Sequence, residues 1–177
     1  MLYTKEKVLT RVNMVVIVQF LGLAGLASVL PFYIHIQWIT GPVINAILII
    51  ALFLLGIRSA FLFCLVPSLM ALSGGLLPPI LAPIVPFIMI GNIVYILTIE
   101  TVYNYFKDND RGFFLGVLSG SVLKFLFLFL SVNIIEKLLI KQELLEKVAD
   151  MMSWSQLATA LTGGMIAFLI LKWLKRI

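Results

Sequence analysis

The chain has 177 residues, of which 62% are hydrophobic and 12% are charged, and its mean hydropathy is +1.15. A soluble domain is about half apolar and about a quarter charged, so this chain carries too little charge to cover a surface that faces water. The composition excludes an ordinary soluble domain. The net charge of +5 comes from basic residues at the ends of apolar runs and not from a basic stripe, so we expect no nucleic-acid partner.

The long apolar runs predict helices that cross a lipid bilayer. A bilayer core is about 30 Å thick and needs about 20 apolar helical residues. A barrel strand would alternate apolar and polar side chains, whereas residues 44–55 read INAILIIALFLL without alternation. We therefore predict an all-α, polytopic membrane protein, a single domain over residues 1–177. Six transmembrane helices in one bundle are predicted at residues 8–30, 40–56, 59–77, 83–106, 112–135 and 154–174.

The first predicted span contains a group of small residues. These are Gly22, Ala24, Gly25, Ala27 and Ser28. Ala24 and Ser28 are four residues apart, a spacing that lets another helix approach closely. The sequence leaves open whether this face packs inside the bundle or docks a partner subunit.

Polar and aromatic residues follow the first span. Tyr33, His35 and Trp38 lie where an outer aromatic belt or a lid over a pocket is expected. Because His35 is the single histidine, we expect no metal site built from several histidines. Cys64, the single cysteine, lies within an apolar run and is interpreted as a packing residue.

Two connections stand out further along the chain. Residues 73–86 contain two glycines and four prolines, which predict a rigid, partly re-entrant turn between the third and fourth spans. Residues 136–153 place leucines, valine and methionines near helical spacing among charged residues. They predict either an amphipathic helix at the membrane interface or a water-exposed extension of the fifth helix.

The distribution of basic residues predicts the orientation. One side of the predicted bundle holds Lys5, Lys7, Arg11, Arg58, Lys107, Arg111, Lys172, Lys175 and Arg176. The other side holds Lys137, Lys141 and Lys147. The positive-inside rule places the first group in the cytoplasm. We therefore predict a multi-pass protein of the cell membrane with both termini in the cytoplasm.

Lys124 is the most informative single residue. It lies about 12 residues into the fifth span, near the bilayer midplane at about 1.5 Å per residue, where a charged side chain is costly. One reading is a site for an anionic ligand. The other is an ion pair with Glu100, or a hydrogen bond to a neighbouring carbonyl group.

Further polar residues fall in the outer half of the predicted bundle. With Lys124, the candidate substrate-binding residues are Asn45, Asn92, Asn133, Gln156, His35 and Trp154. An amide in a membrane helix commonly joins helices, so each residue taken alone is ambiguous. Together they predict one pocket that opens to the outside.

Several catalytic chemistries have no sequence signature here. We find no phosphate-binding loop, no paired-carboxylate motif and no His-Glu-x-x-His. Cys64 as a nucleophile would need a base, and His35 on an outer loop is poorly placed. We therefore expect no enzyme and no cofactor.

Three stretches resemble a known family. Residues 39–46 (ITGPVINA), 76–79 (LLPP) and 86–92 (PFIMIGN), with the size and the predicted spans, are similar to substrate-binding S components of energy-coupling factor (ECF) transporters. The resemblance implies capture of a vitamin or related micronutrient from outside. It also implies a transmembrane coupling subunit, contacted here through Ala24 and Ser28, and two cytosolic ATPases.

A second function stays open at the level of sequence. The chain could be a structural or assembly subunit of a larger membrane complex, with Lys124 paired to Glu100 and no ligand of its own. A small ion channel is a weaker hypothesis, because the polar residues form no continuous path.

Overall fold

The computed structural model describes residues 14–34, 36–74, 77, 79–106, 109–137 and 148–177. These residues form helices and connecting turns, with no strand among them. The long helices are α1 (Met14–Tyr33), α2 (Gln37–Leu55), α3 (Ile57–Ser73), α4 (Val85–Tyr105), α5 (Asp110–Glu136) and α6 (Trp154–Trp173). A short 3-10 helix, Pro79–Ile84, leads into α4.

The all-helical prediction is confirmed, whereas the number of membrane spans is met only in part. Five helical segments are long and apolar enough to cross a bilayer. They are Met14–Tyr33, Gln37–Leu55, Leu81–Tyr105, Asp110–Ile135 and Val148–Trp173. The remaining helix, α3, is apolar but has 17 residues, fewer than the about 20 that a bilayer core requires. The helices are compatible with a multi-pass membrane protein.

The predicted amphipathic segment, residues 136–153, lies mostly outside the described residues. Its described end, residues 148–151, forms a helical turn immediately before α6. Val148 and Met152 in and beside this turn are fully buried. The turn therefore packs against the bundle through apolar side chains.

Helices α4 and α5 approach closely along a glycine ridge. Gly112, Gly116 and Gly120 recur every four residues and share one face of α5. A Cβ atom on Gly116 would lie 3.2 Å from the Cα atom of Ile99, and one on Gly120 would lie 3.0 Å from the backbone oxygen of Tyr95. The two backbones thus touch, and Lys124, four residues beyond Gly120, continues this face of α5.

Helices α2 and α6 form a second close contact. A Cβ atom on Gly41 would lie 2.8 Å from Cγ2 of Thr159, and one on Gly163 would lie 2.6 Å from Cβ of Asn45. Glycine at both positions lets the helices approach closely, because a larger residue would collide with Thr159 or Asn45. Helix α2 is the central helix. In its most apolar stretch of 18 residues, 56% of the residues are buried, against 11% in the corresponding stretch of α1.

Candidate functional site

A partly open cavity of about 340 Å³ lies between the helices and contains several polar side chains. Its volume is within the usual size range of small-molecule sites, about 300–1,000 Å³. The residues that line it are Pro31, Gln37, Trp38, Thr40, Gly41, Ile44, Asn45, Pro67, Ser68, Ala71, Leu77, Ile88, Asn92, Lys124, Asp150, Met151 and Gln156. They come from the end of α1, the first half of α2, the second half of α3, the beginnings of α4 and α6, the middle of α5, Leu77 and the 148–151 turn. The cavity therefore lies towards the end of the bundle where α1 connects to α2 and α3 to α4.

Lys124 lies on the wall of the cavity, deep in the bundle. Its side chain is 2% exposed, and it lies about 21 Å along α5 from Asp110 at about 1.5 Å per residue. Its Nζ atom donates a hydrogen bond of 2.7 Å to Oδ1 of Asn45 on α2. The same atom lies 5.4 Å from the centre of the Tyr95 ring, a distance at which an ammonium group is attracted to the ring face.

Tyr95 is itself held in place. It is fully buried on α4, and its hydroxyl group donates a hydrogen bond of 2.8 Å to the backbone oxygen of Ala160 on α6. A Cβ atom on Gly120 would lie 3.0 Å from Cδ2 of the same ring. The ring next to Lys124 is thus fixed by three helices, α4, α5 and α6.

Among the described residues, no carboxylate group lies within 4.0 Å of Lys124. The ion pair with Glu100 considered from the sequence is not formed, although both side chains are described. The described part of the chain contains one ion pair, between Lys172 and Asp110. An ammonium group has three N–H donors, and the described residues supply Asn45 as the one hydrogen-bond acceptor. Two of its N–H groups therefore have no hydrogen-bond acceptor among the described residues.

The largest part of the wall is one stripe along α2. Gln37, Thr40, Gly41, Ile44 and Asn45 follow the helical spacing i, i+3, i+4, i+7 and i+8, which places them on one face. Thr40 and Asn45 are 2% and 3% exposed, so this polar stripe lies inside the protein. The same spacing can be read from the sequence, and it is the signal that identifies the second helix as a main wall of the site.

At the mouth of the cavity, two side-chain amide groups donate hydrogen bonds to one backbone oxygen. Nε2 of Gln37 donates to the backbone oxygen of Met151 at 3.2 Å, and Nε2 of Gln156 donates to the same oxygen at 3.0 Å. These bonds tie the 148–151 turn to α2 and α6. Trp38 is 62% exposed and Asp150 is also exposed, so both lie at the open end.

Four of the predicted site residues meet at this cavity. They are Lys124, Asn45, Asn92 and Gln156. Asn92 is 4% exposed, and its Nδ2 atom donates a long hydrogen bond of 3.5 Å to the backbone oxygen of Cys64. Four residues selected from the sequence, on four different helices, thus line one cavity, and their role in binding a ligand stays a prediction.

Asn133 and Trp154 lie outside the cavity. Asn133 is exposed and follows Lys124 by nine residues, which places it on the opposite face of α5 at about 100° per residue. Trp154 is 70% exposed, and its ring stacks on Phe125 at 5.1 Å. It precedes Gln156 by two residues and therefore points away from it. His35 lies outside the described residues.

The structure adds lining residues that the sequence analysis did not select. Thr40, Ser68, Asp150 and Gln37 belong to the wall. Trp38, for which the sequence left open an aromatic belt or a lid over a pocket, also lines the cavity. Ser68 lies one residue after the helix-bending Pro67, and its 5% exposure shows that it faces inward. In the sequence, Asp150 is one of the charged residues of the predicted amphipathic segment 136–153, and nothing there distinguishes it as a site residue.

The predicted docking residues Ala24 and Ser28 are half-buried on α1. Ala24 packs at the edge of the core, near the Phe20 and Phe63 rings, whose centres are 5.3 Å apart. Internal packing thus uses part of this face. The small residues that remain open are glycines, because a Cβ atom on Gly22 or Gly25 would meet nothing within 4 Å.

The described residues thus form an all-helical bundle, compatible with a multi-pass membrane protein, with a cavity that polar side chains from several helices line. No family model, curated protein or solved structure matches it.

Proposed function

We propose that this chain is the substrate-binding membrane subunit of an importer of the energy-coupling factor type. Its cavity would hold a small micronutrient, such as a vitamin, that carries an anionic or strongly polar group. The observation that supports the proposal is a buried lysine, Lys124, that lines a cavity of about 340 Å³ and has a neutral amide as its described hydrogen-bond partner.

The cost of burying a charge is the physical reason. An ammonium group deep in a membrane protein is expensive and is normally paired or placed at a functional pathway. A lysine with a purely structural role would be expected to meet a carboxylate group, yet Lys124 meets Asn45 and the Tyr95 ring. An anionic ligand group in the adjoining cavity would supply the missing negative charge and accept the two remaining N–H donors.

The proposal includes a topology and partners. Helix α3 would act as a sixth, short span, which a locally thinner bilayer can accommodate at modest cost. Both termini would be cytoplasmic, and the cavity would open to the outside. The exposed surface of α1, near Ala24 and Ser28 and including Gly22 and Gly25, would contact a transmembrane coupling subunit that works with two cytosolic ATPases. The low burial of α1 supports this assignment.

Native mass spectrometry of the purified protein tests the binding function. The wild-type chain should retain a small molecule. Lys124→Met, which keeps an apolar stem and removes the charge, should lose it. Lys172→Met is the matched control, because Lys172 is about half exposed and lies outside the cavity.

Two results would overturn the proposal. One is full retention of the same small molecule by Lys124→Met. The other is a wild-type protein that co-purifies with membrane partners but carries no small molecule. The second result would favour the structural or assembly subunit, for which the Lys124–Asn45 hydrogen bond between α5 and α2 would be the supporting contact.

A further inference from the structure

The two ends of the cavity differ in polarity. At the deep end, Lys124 presents N–H donors beside the buried Asn45. At the mouth, the lining residues include the exposed Asp150, which carries a carboxylate group, and the amide residues Gln37 and Gln156. The amide nitrogens of these two glutamines donate to the Met151 backbone oxygen, which leaves their oxygens as the groups available to a ligand.

We propose that the cavity takes a zwitterionic ligand, with its anionic group at Lys124 and a cationic group at the mouth. This inference rests on the proposed binding function and specifies the chemical class of its substrate. A plain anion would satisfy Lys124 but would leave the Asp150 carboxylate group facing it across the mouth. A ligand with an ammonium or amidinium group at its outer end satisfies both ends of the cavity.

Two further features favour a cation at the mouth. The one ion pair among the described side chains joins Lys172 and Asp110. No described basic group therefore lies within 4.0 Å of the Asp150 carboxylate group. Trp38 lines the cavity and is 62% exposed. Its indole ring face attracts cations more strongly than other aromatic rings.

The length of the cavity indicates an elongated molecule. Gln37 at the mouth and Asn45 at the deep end are eight residues apart on α2, which corresponds to about 12 Å of helix. A compact zwitterion whose two charges share one carbon atom would reach one end and leave the other unpaired. The expected ligand therefore separates its charges by a chain or a ring.

Charged thiol reagents can measure this polarity without knowledge of the ligand. In a Cys64→Ser background, Ile44→Cys places a thiol at the deep end and Trp38→Cys places one at the mouth, both on α2 and both on the cavity wall. Each variant is treated with anionic sulfonatoethyl and cationic trimethylammonioethyl methanethiosulfonate at low ionic strength. The ratio of the two reaction rates cancels differences in thiol exposure.

The deep thiol should favour the anionic reagent, and Lys124→Met should lower that preference by about a hundredfold. One charge about 10 Å away at an effective dielectric constant of about 20 changes each rate by about tenfold, in opposite directions for the two reagents. The mouth thiol should favour the cationic reagent, and Asp150→Asn should abolish that preference. Asp110→Asn is the matched control, because Asp110 is paired with Lys172 and lies outside the cavity. Equal ratios at the two positions, or a mouth ratio that Asp150→Asn leaves unchanged, would overturn the proposal.

Retention of the co-purified molecule separates this inference from the function on which it rests. Loss of the molecule in both Lys124→Met and Asp150→Asn supports a zwitterion. Loss in Lys124→Met with full retention in Asp150→Asn refutes the zwitterion and leaves the binding function standing. Full retention in both variants refutes the zwitterion and the binding function.

Discussion

Lys124 on α5 and Asn45 on α2 are 79 residues apart in the chain, yet their side chains are joined by a hydrogen bond of 2.7 Å at the buried end of the cavity. The bond connects the helix that carries the charge to the central helix of the bundle. It fixes the ammonium group at one place on the wall. The stability of the bundle and the position of the charge therefore depend on the same contact.

Asn45→Ala should lower the free energy of unfolding by about 1–3 kcal/mol, because it removes the described acceptor of a buried, charged donor. The measurement is equilibrium unfolding in lipid bicelles. The double variant Asn45→Ala with Lys124→Met should recover part of the loss, since no ammonium group is then left without its acceptor.

Asn133→Ala is the control for this prediction. Asn133 is exposed on the opposite face of α5 and lies outside the cavity, so its removal should change stability by less than about 0.5 kcal/mol. An Asn45→Ala variant that is as stable as Asn133→Ala would show that the Lys124–Asn45 hydrogen bond contributes nothing to the fold.

Gly163→Ala should separate α2 from α6. The added Cβ atom would lie 2.6 Å from Cβ of Asn45 and 2.7 Å from the backbone oxygen of Pro42. A backbone atom can move away only if the helix itself shifts. We expect a loss of about 1–3 kcal/mol, the usual cost of overpacking. Gly25→Ala on α1 meets nothing within 4 Å and should instead gain about 0.5–1 kcal/mol from reduced backbone entropy.

The same two variants separate packing from ligand binding. Because Gly163 sets the position of Asn45, Gly163→Ala should also weaken retention of the bound molecule, measured by native mass spectrometry. Gly25→Ala should leave retention unchanged. Normal stability in Gly163→Ala would contradict the close approach of the two helices.

Much of the fold could be predicted from local sequence properties. Apolar runs of membrane length define the helices within a few residues, because burial in lipid requires each helix to be continuous. The burial of Lys124 follows from its depth in an apolar run. The connection through residues 138–147, which lie outside the described part, has a mixed pattern that fits two structures, and the sequence could not decide between them.

The partners of Lys124 could not be predicted in the same way. Glu100 was considered because it has the opposite charge, whereas Asn45 is the partner because the glycine ridge of α5 and Gly163 on α6 set which helices meet. Such contacts depend on the packing of four helices, α2, α4, α5 and α6, which periodicity in one helix does not reveal. In contrast, the face of α5 on which each side chain lies could have been predicted from the sequence. Rotation by about 100° per residue already separates Asn133 from Lys124.

Two substitutions separate the contribution of the Tyr95 hydroxyl group from that of its ring. Tyr95→Phe removes the hydrogen bond of 2.8 Å to Ala160 but keeps the ring face near Lys124. We expect a loss of about 0.5–1.5 kcal/mol in the free energy of unfolding and unchanged ligand retention. Tyr95→Leu also removes the ring, so the loss should grow by about 1 kcal/mol and retention should change. Identical behaviour of the two variants would show that the ring face has no role.

The exposed lysine Lys172 should behave differently from the buried one. Its Nζ atom lies 2.7 Å from Oδ2 of Asp110, and both side chains are about half exposed. Exposed ion pairs contribute about 0–1 kcal/mol, because solvent and salt screen the attraction. Lys172→Met should therefore lower the free energy of unfolding by less than about 1 kcal/mol, and the difference should shrink when the ionic strength is raised from about 0.01 M to about 1 M. The loss in Lys124→Met should be insensitive to the same change, because the Lys124–Asn45 contact is buried. A salt-dependent loss at Lys124 would mean that solvent ions reach the deep end of the cavity.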